Sequence, residues 1–329
     1  MKNLIIIEYL TASPLKTDFF QGAIYKEGLN MVDCLTQELI KRSQHANIIV
    51  IRNEKFKKSY KKNITYLVSS KRKKFINFLS EYYPKETEIL LIAPESKGIL
   101  KSIYRSISDL GFSLLLSHYS LISKFSSKKS TITFLKKVGI PCVDFIGDFS
   151  KIDKSKKIIL KPDQGAGSEN IFILNNSDDL KKLLNKINFP YIIQYFKKGI
   201  VGSLNVIFVE NRNILLSCNR HIVKISGQRI QQVGSIIGGL EEYRSDFQDL
   251  IDIINLKIKG FFGLVNFDVI RVKETWEIIE INPRFSSTYC GLKEAYGELM
   301  TDLISDIYLG SRDFKNKIIP LKKPVKIKF

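Results

Sequence analysis

Over residues 1–117, short apolar runs alternate with longer stretches whose apolar positions recur with a period of about 3.6. The runs predict strands at 4–10, 47–52, 65–69, 88–93 and 112–117, and the periodic stretches predict helices near 22–43, 71–83 and 97–110. Strands separated by helices predict an α/β layer built on a parallel sheet. Residues 118–140 read as one further amphipathic helix, closed at Gly139-Ile140-Pro141.

From residue 142 the pattern changes to strand-like segments joined by turns: CVDFIGD, KKIILKP, NIFILNN, YIIQYF and LNVIFVENRNILLSCN, the last a hairpin turning at Asn211-Arg212-Asn213. One helix near 177–187 interrupts them, and another near 241–259 precedes the pair GLVNFDVIRV and TWEIIEINP, joined at Lys273-Glu274. A last helix spans about 291–309. The fold class is therefore α/β followed by antiparallel α+β, with expected units 1–117, 118–198 and 199–329 and no internal repeat.

Composition adds limits. The chain has 329 residues, 44% apolar and 26% charged, which is globular and ample for two or three domains. No apolar run approaches the roughly 20 residues of a membrane span. The opening MKNLIIIEYL is broken by Glu8 and followed by no small-residue cleavage site, so it reads as a buried strand of a cytoplasmic protein. Cys34, Cys142, Cys218 and Cys290 show neither metal-ligand nor redox spacing, and His45, His118 and His221 are too dispersed for a histidine metal site. The net charge of +19 is spread through the chain without a nucleic-acid signature; a lysine-biased composition explains it as well as an anionic ligand does.

The chemistry concentrates in WEIIEINPRF (276–285), which places Glu280, Asn282 and Arg284 on alternate residues and so on one strand face. Pairing with NFDVIRV brings Asp268 beside Glu280 and Asn282, an oxygen-rich set suited to a hard cation. An exposed polar sheet face is the competing reading, although the rest of both strands is apolar. Leaving the strand at Pro283 carries Arg284 to the same end, where a planar guanidinium can clamp phosphate or carboxylate. A second element, IILKPDQGAGSENIF (158–172), delivers Lys161 from a strand into a loop where Gly165 and Gly167 let backbone N–H groups approach phosphate. It is not a Walker A loop. A third, YIIQYFKKG (191–199), is a short strand whose backbone can meet a purine edge.

In this order, with Lys128 on the preceding helix, these pieces resemble the ATP-grasp superfamily over roughly residues 118–310, behind its usual N-terminal α/β (pre-ATP-grasp) domain. The resemblance implies ATP and Mg²⁺ as cofactors, two ions being usual and Mn²⁺ an admissible substitute. It implies that Lys128 and Lys161 hold the α- and β-phosphates, with Lys124 a second candidate for the first lysine. The loop from Gly165 to Ser168 would close over the triphosphate, and Gln194 with the backbone at Tyr195 and Phe196 would meet adenine. Asp268, Glu280 and Asn282 would bind the metal, and Arg284 would steady the transferred phosphoryl group. Two departures stand out: Gln194 where an acid is common, and Ile200-Val201 where an acid usually meets the ribose.

An enzyme of this family activates a carboxylate as an acylphosphate for attack by an amine, which fits a chain without a Ser-His-Asp or Cys-His constellation. IEYLTASP, YKEGLNMVDCL and INPRFSSTYCGL resemble the tyramine–glutamate ligase-like subgroup, implying glutamate and an amine as small-molecule substrates. In that reading Arg220 and Ser286–Tyr289 line the acceptor pocket, a solvated strand end being the equal alternative for Arg220. The helix EGLNMVDCLTQELI reads as core packing, with Glu27-Gly28 near its start open to a functional role. Alternatives are a ligase for another amino acid or peptide, or a nucleotide-binding protein without catalysis. The resemblance is compatible with a homodimer and gives no membrane or nucleic-acid partner.

Overall fold

The structure is a computed structural model; it describes every residue except 1, 14–22, 43–45, 60–63, 71–74, 149, 151, 166, 168, 169, 176, 211 and 311–318. The first sheet holds β1 (Lys2–Glu8), β2 (Ala46–Asn53), β3 (Thr65–Ser69), β4 (Glu88–Ile92) and β5 (Ser113–Leu114), in the order β3-β2-β1-β4-β5. All its pairs are parallel, and α1 (Tyr9–Ala12), α2 (Ala23–Arg42), α3 (Phe75–Tyr82) and α4 (Ile99–Asp109) connect the strands. β1, β2 and β4 are almost continuously apolar because a parallel sheet is covered on both faces.

The expected single helix over 118–140 is two helices, α5 (Tyr119–Phe125) and α6 (Lys128–Lys137). Ser127 breaks the run: its backbone is extended, and its hydroxyl accepts from the Ser130 N–H at 3.1 Å, capping α6. Lys128 thereby becomes the first residue of a helix.

The second sheet comprises β6 (Ile158–Pro162), β7 (Ile171–Leu174), β8 (Tyr191–Tyr195), β9 (Ile200–Val209), β10 (Arg212–Ser226), β11 (Arg229–Ile237), β12 (Gly263–Val272), β13 (Thr275–Asn282) and β14 (Val325–Lys328). Its order is β13-β12-β9-β10-β11-β7-β6-β8, with β14 also on β11, and every pair is antiparallel. Helices α7 (Ser177–Leu184), α8 (Arg244–Lys257), α9 (Leu292–Tyr296) and α10 (Glu298–Leu309) complete it.

Several expectations are corrected. CVDFIGD forms no strand beyond a bridge between Cys142 and Ile278. Of the expected turn Asn211-Arg212-Asn213, Arg212 and Asn213 already pair with Val209 and Phe208 as part of β10, and Asn211 lies outside the described residues. The sequence reading lacks β11, whose Gln231-Gln232 give no apolar alternation. The last helix is split at Gly297, whose φ of 90° is outside the helical region.

One core joins the two sheets. Leu4, Val50 and Leu90 of the first pack with Ile207, Leu264, Phe285, Tyr296 and Ile304 of the second part. A separate cluster under the second sheet contains Val206, Phe247, Val265, Phe267, Trp276, Ile278 and Ile281.

Candidate active site

The β12–β13 hairpin explains how one strand serves core and site together. Asp268 faces Glu280 and Asn266 faces Asn282, but the register shifts between Asp268 and Val269, so that Val269 faces Ile278. One residue, Ile279, is extra on β13. A bulge of this kind reverses the side-chain alternation locally. Trp276 and Ile278 therefore enter the core, while Glu280 and Asn282 turn to the opposite face with Asp268.

That face opens on a cavity of about 170 Å³ lined by Lys128, Lys161, Gly165, Gly167, Asp268, Glu280, Asn282 and Arg284. The structure thus collects eight of the expected site residues. Ser168 lies outside the described residues. Lys128, not Lys124, reaches the cavity; the Lys124 ammonium sits 3.6 Å over the Phe134 ring.

Lys128 reaches the site because Asp163 anchors the start of α6. The Asp163 carboxylate accepts from the Ser127 hydroxyl at 3.0 Å and the Lys129 N–H at 2.8 Å, and its carbonyl accepts from the Lys128 N–H at 3.0 Å. Lys128 Nζ then donates to Gly165 O at 3.1 Å and Glu280 Oε1 at 3.2 Å. Lys161 is buried beside it, and burial, reinforced by the Lys128 charge, lowers its pKa to about 8. Gly167 has φ of 69°, a conformation that a β-carbon would strain.

Burial, and then the Glu280 charge, raise the Asp268 pKa to about 8. Facing carboxylates in a dry site are what a divalent cation relieves, and two carboxylates plus an amide leave room for phosphate and water on Mg²⁺. Among the described residues there is no cluster of three or more His, Cys, Asp or Glu that could hold a metal ion. His221, which the sequence reading gave no role, has Nε2 3.9 Å from Asp268 Oδ1; burial lowers its pKa to about 4 and keeps it neutral.

Arg284 donates from Nε to Glu95 Oε1 at 2.8 Å, from Nη2 to Glu95 Oε2 at 2.6 Å, and from Nη1 to Phe285 O at 2.9 Å. Burial works against its charge, and the Glu95 carboxylate, with Glu280 and Asp268, more than offsets this. No local motif marks Glu95; it arrives from the end of β4.

A second cavity of about 180 Å³ shares Lys128, Lys161, His221, Asp268 and Glu280 with the first and is walled by Val143, Ile159, Val201, Ile230, Ile270 and Ile279. Gln194, Tyr195 and Phe196 line it as well. The donors anticipated for adenine are engaged elsewhere. Gln194 Nε2 donates to Val143 O at 3.0 Å and Asp144 O at 3.1 Å, and the Phe196 N–H donates to Lys157 O at 2.8 Å. Gln194 thus fastens the 143–144 segment that walls the slot.

The expected acceptor residues divide. Ser286, Ser287 and Thr288 line the first cavity, held by Asn205, whose Oδ1 accepts from Ser286 at 3.3 Å and Thr288 at 3.1 Å. Tyr289 instead packs into the core. Arg220 is exposed and absent from both linings. It shares its strand face with buried Cys218, whereas His221 takes the cavity face. The first cavity also has a wall that motif reading left open: Glu8, Leu10, Glu27, Gly28 and Met31 with Ile92–Pro94.

Comparison with known proteins agrees with this geometry. The ATP-grasp domain family matches residues 125–288. The tyramine–L-glutamate ligase of Methanocaldococcus jannaschii is 25% identical over 298 residues, covering 88% of this chain and 84% of that protein. Among solved structures, N5-carboxyaminoimidazole synthetase of Staphylococcus aureus aligns at TM-score 0.67 with 16% identity, covering 98% of this chain and 80% of that one. The biotin carboxylase domain of Hydrogenobacter thermophilus 2-oxoglutarate carboxylase, solved with MgADP, aligns at 0.69 with 14% identity over 94% of this chain and 70% of that one. The lysines of α6 and β6, the glycine loop and the acidic hairpin all fall within the matched segment, and the chain carries an ATP-grasp domain over residues 125–288.

Proposed function

We propose that the chain is an ATP-dependent ligase that activates a carboxylate and joins it to an amine, with glutamate and an aromatic amine such as tyramine as the first pair to test. The observation that carries this reading is the convergence of Lys128, Lys161, Asp268, Glu280, Asn282 and Arg284 on one cavity, open on one side to an apolar slot and on the other to the N-terminal sheet. The similarity to tyramine–L-glutamate ligase along most of the chain supports the choice of substrates.

In this reading the slot between Ile159, Val201, Ile230 and Ile270 takes the base, and Lys128 and Lys161 take phosphate oxygens. Lys128 now donates to Glu280, so a phosphate that engaged its ammonium would leave the Glu280 carboxylate free to accept a cation. Asp268, Glu280 and Asn282 would hold Mg²⁺, which when bound would neutralise charge on the phosphates. Arg284, fixed by Glu95, presents a guanidinium where negative charge develops. A carboxylate oxygen of the substrate bonds to the γ-phosphorus as the bond to the β-phosphate oxygen breaks. The amine, after giving up the extra proton of its ammonium form to solvent, attacks the acylphosphate carbon; the C–O bond to phosphate breaks, the departing phosphate takes the second proton from nitrogen, and an amide remains. The protein's part is positioning and electrostatics, with no side-chain nucleophile.

The test is ADP release from ATP and Mg²⁺ with panels of amino acids and amines, glutamate and tyramine included. Release that requires both an acid and an amine establishes the ligation and identifies the pair. Tight nucleotide binding with no release for any pair would refute it. Among the described residues no helix is long and apolar enough to cross a membrane.

A further inference from the structure

The wall of the first cavity opposite the lysines is built by the N-terminal sheet. There β1 lies between β2 and β4, and the strand order reverses at β1. In open α/β sheets the crevice beyond the carboxyl ends of the strands at such a reversal is where ligands sit. The lining residues occupy that crevice: Glu8 and Leu10 at the end of β1, Ile92–Pro94 at the end of β4, and Glu27 and Met31 from α2.

The two walls differ in charge: the ATP-grasp side mixes cations with the Asp268 and Glu280 carboxylates, whereas the N-terminal side is acidic only. Lys128, Lys161 and Arg284 all belong to the ATP-grasp side. The N-terminal wall has two carboxylates and, among the described lining residues, no cation. A substrate carboxylate is accordingly drawn to the lysine and arginine wall, and a cationic group to the other.

The two acids differ in availability. Glu8 is buried, and its carboxylate caps α1 by accepting from the Leu10 N–H at 3.1 Å and the Thr11 N–H at 2.8 Å. Glu27 is half-buried at the cavity; burial raises its pKa, and the nearby Ser287 hydroxyl and Arg284 charge counter that by favouring the carboxylate. A carboxylate has about four acceptor sites, so capacity remains for the N–H groups of a ligand. Around it, Leu10, Met31, Ile92, Ala93 and Pro94 offer an apolar floor.

We propose that Glu27 seats the ammonium group of the amine substrate in the β1/β4 crevice, selecting a primary amine with an apolar body that lies on Met31 and Ile92. This rests on the ligase reading and adds to it the residue that tells the amine from an uncharged analogue.

The test is equilibrium binding by calorimetry to the full chain saturated with Mg²⁺ and the non-hydrolysable nucleotide AMP-PNP. The probes are tyramine, phenethylamine and putrescine, with tyrosol, in which a hydroxyl replaces the amino group, as the neutral analogue of tyramine. Wild type is expected to bind at least one amine, and to prefer tyramine to tyrosol by at least about tenfold, the scale of a charged hydrogen bond. Glu27→Gln should erase the preference and Glu27→Asp should retain part of it, both with unchanged AMP-PNP affinity. Undiminished amine binding by Glu27→Gln, or no amine bound by wild type, would overturn the proposal. Amine preference without ADP release for any acid–amine pair would instead sink the ligase reading and leave the Glu27 subsite standing.

Discussion

Glu95 and Arg284, 189 residues apart in sequence, form a two-pronged ion pair at 2.8 and 2.6 Å. Glu95 is 2% exposed and follows β4, so the pair fastens the N-terminal sheet to the end of the metal hairpin. Removing the carboxylate strands a buried guanidinium. Glu95→Ala is expected to lower stability by about 3–5 kcal/mol, the usual penalty for breaking a buried pair. Glu95→Gln should be milder in urea unfolding yet still reduce kcat, because a neutral amide no longer holds Arg284 firmly. A Glu95→Gln enzyme with wild-type kcat would show that Arg284 needs no such support.

Nucleotide affinity should carry the titration of Lys161. Its pKa is lowered to about 8, first by burial and then by Lys128. The ammonium binds phosphate and the free amine does not, so AMP-PNP affinity is expected to weaken as pH rises through about 8. Lys161→Arg, charged throughout this range, should flatten that dependence. In the unliganded chain the sign for stability is opposite. Between the folded value and the ordinary lysine value the unfolded chain holds more protons, so this group favours folding increasingly as pH rises there. Calorimetric titrations on either side of pH 8 decide the matter; an unchanged slope in Lys161→Arg would remove Lys161 from the phosphate site.

Asp268 gives the complementary metal prediction. Burial and then Glu280 raise its pKa to about 8, above its unfolded value. Its contribution to the stability of the metal-free chain is therefore complete at low pH and disappears as pH climbs through about 8. A hard cation requires the ionised form, so Mg²⁺ must displace a proton below that pH. The rise in melting temperature on adding Mg²⁺ is expected to grow with pH up to this point. Asp268→Asn should nearly abolish the Mg²⁺ effect while leaving the metal-free protein at least as stable as wild type. Equal Mg²⁺ stabilisation in the variant would place the ion elsewhere.

What the sequence revealed and what it hid follow from the range of the interactions. Asp268, Glu280, Asn282 and Arg284 were legible because one hairpin fixes their faces locally, and Lys161 because a strand leads straight into its glycine loop. The bulge at Ile279 was not legible, although it is what lets Trp276 and Glu280 serve opposite faces of one strand. Glu95 and Asp163 act across the fold, from the segments after β4 and β6, and no spacing rule reaches that far. The break at Ser127 was not legible, because helical periodicity runs up to it from both sides. For Arg220 the solvated strand end, one of the two readings left open, is what the structure shows, and its neighbour His221 takes the cavity, because in a strand one residue is a change of face. Cys34 and Cys290, far apart in sequence, lie in hydrogen-bond contact where α2 meets the turn before α9.

Gly28 links the substrate wall to stability. A β-carbon built there would lie 2.8 Å from Glu8 Cδ and Oε1 and 2.9 Å from Oε2. Glu8 cannot easily move aside, because both its oxygens cap the start of α1. Glycine to alanine within a helix ordinarily stabilises by about 0.5–1 kcal/mol. Here the overpacking should dominate, and Gly28→Ala is expected to destabilise by about 1–3 kcal/mol. Trimming the partner relieves the clash, so the penalty should shrink or reverse in a Glu8→Ala background, a coupling that a double-mutant cycle in urea measures directly. A stabilised Gly28→Ala single variant, or strict additivity with Glu8→Ala, would mean that the contact between α2 and the end of β1 is looser than the packing indicates.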